Sequence, residues 1–180
     1  MFVNRAVLLA VLAGGFVLTS TWIIGEVLAE GLPVSKYSEL PKPVANDLVK
    51  RGCRIVADIA RHGGKNVISG EFSRPGQTDW AVLCRHDNGA SLLVYRGGKA
   101  KNPAVLNTHS GGLGKDPEAA RTIGVATPNQ MSRYATRYAQ AMKSETNVRF
   151  AHPGIEDATG MGSIVMYYRD GNWMTIAGAD

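Results

Sequence analysis

The sequence predicts an α+β fold: an antiparallel sheet of about five strands with two helical segments packed on it, near residues 43–61 and 127–143. Three stretches carry that prediction. Asn66 to Gly98 reads as three short strands joined by two turns. Ser163 to Ala177 reads as a hairpin about Asp170-Gly171, a pair suited to the positive φ values of a two-residue turn. Between them, Thr127-Pro128-Asn129-Gln130 is a helix start, with a Thr cap, Pro at the first position and Gln three residues on. With 180 residues, 44% hydrophobic and 19% charged, the chain has the balance of one globular domain and not of a disordered segment.

At the N-terminus, Arg5 precedes an uncharged run from Ala6 to Gly25, and Val27-Leu28-Ala29 supplies the small and apolar residues of a cleavage site. Residues 1–29 therefore read as a signal peptide. The apolar run is also long enough to remain as a membrane anchor. Both readings export residues 30–180, to the periplasm or the medium, or tethered to the inner membrane by residues 6–25. Residues 30–42, with Pro33 and Pro41, read as a linker to a single domain at 43–180.

In the domain, Pro43 starts a helix in which Val44, Leu48, Val49, Ile55, Val56 and Ile59 recur at near-helical spacing. Gly52 interrupts it, so the expectation is one helix over 43–61 with a weak point, or a helix, a turn and a second helical piece. In the meander, Val67–Phe72 is strand-like, and Arg74-Pro75-Gly76-Gln77 is a type II turn with Gly at its third place. Trp80–Cys84 is apolar throughout, as in a strand covered on both faces. Asn88-Gly89 marks a hairpin turn into Ser91–Tyr95. Residues 99–126 read as loop-rich, with a short strand at Ile123–Ala126. The glycines and Lys at 110–115 lack the spacing and the Ser/Thr of a phosphate loop. On the second helix Met131, Tyr134, Ala135, Tyr138 and Met142 form a core stripe, while Arg133 and Arg137 make a small basic ridge. Residues 147–162 read as a surface loop.

Two cysteines, Cys53 and Cys84, stand in the exported part, where a small even number favours a disulfide. Cys84 lies in an apolar strand, a poor place for a reactive thiolate. The bridge would pin the first helical layer to the second strand of the meander.

The net charge is +5, and no run of five or six basic residues appears, so nucleic acid is not an expected partner. The mild excess favours an anionic cell-surface component or an envelope protein. Membrane contact is expected only through the N-terminal segment, if uncleaved. His152, Glu156 and Asp157 lie close together in sequence, the residue types of acid–base or metal chemistry. Pro153-Gly154 bends the chain there, and local spacing does not aim the three at one point. No catalytic or metal set is expected, and no cofactor.

Ile68-Ser69-Gly70-Glu71-Phe72 followed by Pro75-Gly76-Gln77-Thr78-Asp79-Trp80-Ala81-Val82 resembles an FG-GAP-type repeat unit. The exported part is also similar to a family of exported bacterial proteins that combine a G-C motif (Gly52-Cys53), a D-W-A-V-L-C motif (Asp79 to Cys84) and a Y-x-x-G-x-W-x-x-x-x-G-A-D ending (Tyr168 to Asp180). The resemblance implies a single FG-GAP-like β unit and a fold more than an activity. Calcium-binding units of that type carry an Asp-rich loop; residues 73–79 offer one carboxylate and a nearby Arg, so no calcium is expected.

The function expected is that of an exported, non-enzymatic, envelope-associated binding or structural module. The alternatives are a periplasmic inhibitor or protein-interaction factor presenting loops such as 107–118, and a hydrolase using His152 with Glu156 or Asp157. Candidate binding residues are Trp173, Tyr167, Arg133, Arg137 and His152.

Overall fold

The computed structural model describes residues 31–56, 65–86, 89–110, 121–142, 149–159 and 162–179. The expected leader, the phosphate-loop-like stretch at 111–115 and the Asn88 half of the hairpin turn lie outside them. Two antiparallel sheets account for the strands. The first has six: β1 (Leu32–Pro33), β2 (Arg54–Ile55), β3 (Val67–Gly70), β4 (Asp79–His86), β5 (Gly89–Tyr95) and β6 (Ala104–Ser110). The second has four, in the order β10-β9-β8-β7: β7 (Thr122–Ala126), β8 (Gly154–Thr159), β9 (Gly162–Arg169) and β10 (Asn172–Ala177). Helix α1 (Lys42–Lys50) packs on the first sheet and α2 (Pro128–Met142) on the second. The α+β class, the antiparallel pairing, the two helices and the disulfide agree with expectation; the single five-strand sheet is replaced by two sheets.

Strand β4 organises the first sheet. One edge pairs with β5 from Trp80↔Tyr95 to His86↔Gly89. The other edge is shared end to end, by β3 at Val67↔Val82 through Gly70↔Asp79 and by β2 at Ile55↔Cys84. Its continuous apolar run is explained by two covered faces. Val82 and Cys84 join the core beneath α1 with Val44, Leu48, Leu93 and Tyr95. Ala81 and Leu83 join the core between the sheets with Phe72, Leu92, Val94, Ile123, Ile155 and Met166. A third cluster, Ala126, Met131, Val165 and Tyr167, lies between the second sheet and α2.

The first helix does not run to residue 61. Gly52 stands at φ 66, its N–H donates to the Val49 carbonyl at 3.0 Å, and the Cys53 N–H reaches back to Leu48 at 2.9 Å. This pair of bonds closes a helix on a left-handed glycine and turns the chain away. Arg54 and Ile55 then leave as strand, and the rest of the expected second helical piece, 57–61, lies outside the described residues. The stretch expected as a linker supplies β1 and buries Val34 and Leu40 in the core under α1.

The other local signals give what their chemistry requires. Gly76 takes φ 75 in the turn closed by Gln77 N–H to Arg74 at 3.4 Å. The buried Asp79 carboxylate holds that turn, accepting from Ser73 N–H and Oγ, Gln77 Nε2 and Gly97 N–H at 2.6–2.7 Å. Asp170 and Gly171, at φ 51 and 85, turn β9 into β10 with Arg169 opposite Asn172. Thr127 and Gln130 cap α2 reciprocally: Thr127 N–H and Oγ1 donate to Gln130 Oε1, and the Gln130 N–H donates to Thr127 Oγ1. The buried side of α2 is Met131 and Ala139 with the partly buried Tyr134; Tyr138 and Met142, expected in the core, are exposed.

Strands β6 and β8 replace expected loops. Strand β8 starts at Gly154, where the helix layer meets the sheet. A Cβ there would stand 2.7 Å from Val165 Cγ1, 2.8 Å from Met131 Sδ and 2.9 Å from the Met166 carbonyl oxygen. The last of these is backbone and cannot rotate away. Gly154→Ala is therefore expected to destabilise the protein by about 1–3 kcal/mol through overpacking, read as a lower urea midpoint at unchanged slope.

Candidate functional site

The three residues of the hydrolase reading do not converge. Glu156 and Asp157 are successive residues of β8 and point to opposite faces. Glu156 lies on the α2 side, accepting from Ser163 Oγ at 2.6 Å and Tyr134 Oη at 3.3 Å. Asp157 lies between the sheets, bonded to Arg121 and to Asn107. His152 is buried, stacked on Tyr167 at 4.5 Å and 24°, with Nδ1 3.0 Å from the Pro153 carbonyl. Tyr167 packs edge-on against Phe150 at 5.0 Å and accepts the Ala151 N–H at 3.0 Å. These are the contacts of packing aromatics, and they separate the three residues of the hydrolase reading. Among the described residues no group of three His, Cys, Asp or Glu is placed to hold a metal. Trp173 is half-buried in the core between the sheets, edge-on to Tyr168 at 5.2 Å. Arg96 donates to the Tyr168 hydroxyl at 2.7 Å and covers its ring.

The two remaining nominees are also neighbours. Arg133 and Arg137 stand one turn apart on the outer, solvent side of α2. Beside them runs a second row, Ser132, Thr136 and Gln140, also at four-residue spacing. The two rows line a shallow, open groove of about 340 Å³. A groove between i, i+4 rows is the natural relief of a helix surface. Helix α2 contains no acidic residue. Among the described residues no carboxylate pairs with either guanidinium. Glu156, in the sheet beneath, is occupied by Ser163 and Tyr134. Burial raises the Tyr134 phenol above its ordinary range, as does the Glu156 charge, while Arg133 and Arg137 pull it back.

The second row has a directional chemistry. Ser132 Oγ donates to the Pro128 carbonyl at 2.9 Å, and Thr136 Oγ1 donates to the Ser132 carbonyl at 2.8 Å. Each hydroxyl has spent its one hydrogen inside the helix and presents lone pairs outward. The groove therefore has a cationic donor wall and a wall of hydroxyl acceptors, with the Gln140 amide able to do either. The arginine ridge is visible in the sequence; the hydroxyl row was missed, though its own i, i+4 spacing on the same helix marks it.

Two structural constellations lie away from the groove. The Arg121–Asp157 pair is buried between the sheets, where Arg121 Nε donates to Asp157 Oδ1 at 2.6 Å. Under the other helix, Asp47 accepts from Arg51 Nε at 2.6 Å and from Tyr95 Oη at 2.9 Å. Desolvation works to raise the Asp47 carboxyl, but these two hydrogen bonds together with the charges of Arg51 and Lys50 outweigh it and hold the group below its ordinary value. Burial first, and then Asp47, push the Tyr95 phenol well above its ordinary range. Comparison with protein-family models, with curated proteins and with solved structures returned no match.

Proposed function

We propose that this chain is an exported, non-enzymatic binding module that engages an anionic component of the cell envelope through the outer face of α2. The observation that carries the reading is the arginine wall. The two arginines stand four residues, about 6 Å, apart along the helix axis, on a helix without acids, and neither pairs with a carboxylate among the described residues. Exposed cations with no carboxylate partner among the described residues favour an anion that supplies the charge. The disulfide between the first helical layer and β4 fits an oxidising compartment, and so does the N-terminal leader pattern. The dispersal of His152, Glu156 and Asp157 favours binding over hydrolysis.

The test is retention of the full-length protein on immobilised anionic polymers, with neutral dextran as control. Retention on the anionic matrices at low salt is expected, with release near 1 M salt, where the screening length falls to about 3 Å. Arg133→Glu with Arg137→Glu should weaken it by about tenfold or more. Both positions are exposed, so the variant should fold; circular dichroism and an unchanged melting temperature verify this. Equal retention of the folded variant would reject the α2 face as the binding surface.

A further inference from the structure

We infer that the occupant of the α2 groove is an acidic polysaccharide: a polymer carrying carboxylate or phosphate groups together with sugar hydroxyls. The inference rests on the proposed function and names the ligand class of the same surface. It comes from the unlike walls of the groove. Arg133 and Arg137 are donors only and call for anionic oxygens. Ser132 and Thr136 are held as donors to the Pro128 and Ser132 carbonyls. Towards a ligand they accept, and turning either hydrogen outward would give up that bond. A bare polyanion such as polyphosphate satisfies the arginines but has no hydrogen to give the second wall, and sets its charge against hydroxyl lone pairs. A neutral glycan satisfies the hydroxyls but leaves the arginines without a charge partner. A chain bearing acid groups on one edge and hydroxyls on the other satisfies both at once. From Ser132 to Gln140 the groove extends about 12 Å along the axis, the length of a polymer segment and not of one ion. It is open along its length, so a ligand need not present a chain end. Gln140, which donates and accepts, closes the row and tolerates either kind of group.

The experiment compares polygalacturonate, which carries carboxylates and hydroxyls, with polyphosphate, which carries charge alone, each titrated into the full-length protein by calorimetry at equal charge concentration. Polygalacturonate is expected to bind about tenfold more tightly than polyphosphate, the worth of one or two added hydrogen bonds. Ser132→Ala with Thr136→Ala removes the acceptor wall and leaves a better helix former at both positions. It should abolish the preference by weakening polygalacturonate alone. Arg133→Glu with Arg137→Glu should weaken both polymers. Equal binding of the two polymers, or a preference that survives the alanine pair, would overturn the glycan inference and leave the anion-binding reading standing. Binding of both polymers unaffected by the arginine reversals would overturn the anion-binding reading itself.

Discussion

Asp157→Asn is expected to destabilise the protein by about 3–5 kcal/mol, because it leaves the Arg121 guanidinium buried without its counter-charge. The Arg121 and Asp157 side chains are each 2% exposed, so water cannot take over from the lost carboxylate. Asp157 belongs to β8 and receives bonds from Arg121, just ahead of β7, and from Asn107 of β6 in the other sheet. It thus ties the two sheets by a polar contact inside an apolar interface. Asn66 supports the same seam, donating to the carbonyls of Val56 and Arg121. The cost of the single variant is not the worth of the pair. Replacing both members by apolar residues, Arg121→Met with Asp157→Leu, removes the stranded charge and should recover most of the loss. Urea denaturation of the two variants separates the cases. A single-variant loss under about 1 kcal/mol, the scale of exposed pairs, would show that the charge finds solvent. A double variant no more stable than the single would show that the carboxylate acts through its shape and not its charge.

That pair also explains what the sequence hid. Strand β8 reads Gly-Ile-Glu-Asp-Ala-Thr, and adjacent acids argue for a loop. Its inward Asp is tolerable only because Arg121, 36 residues earlier, folds against it, and no local pattern reveals such a partner. Strand β6 was masked in the same way, with the polar Asn107 facing the seam. Where local chemistry is decisive, the sequence was legible: the Thr127–Gln130 cap, the Asp170-Gly171 turn, the Pro75-Gly76 turn and the doubly covered β4. Gly52 was visible as an interruption, but its direction was not. A glycine can bend a helix or end it, and the choice was made by pairing of Arg54 and Ile55 with β4. In the groove, the i, i+4 arginines followed from spacing alone. The acceptor character of Ser132 and Thr136 depends on side-chain rotamers, which spacing does not encode. His152, a histidine near two acids in sequence, is here a ring packed on Tyr167, a contact that local spacing does not encode.

Loss of the Cys53–Cys84 bridge is expected to cost about 3–4 kcal/mol, the chain-entropy value for a loop of this size; the two cysteines are 31 residues apart. For a domain of this length that corresponds to a fall of about 6–16 °C in melting temperature. The loss should not spread evenly. The N-terminal layer is attached through two short pairings, β1 with β2 and β2 with β4, each of two residues, and through Val44 and Leu48 of α1. The β4–β5 ladder, by contrast, pairs seven residues on each strand and is buried on both sides. Cys53 arrives beside Cys84 because the Gly52 turn sends the chain back across the sheet, so the bridge fastens the weakly paired layer to the strongly paired strand. In the Cys53→Ala, Cys84→Ala variant, amide exchange in α1 should accelerate far more than exchange in β5, which opens only with the whole domain. Uniform acceleration in both elements would mean that α1 and the sheets unfold as one unit, with the bridge acting on the unfolded chain alone. An unchanged melting temperature on reduction of the wild-type protein, with free thiols verified by mass, would reject the staple outright.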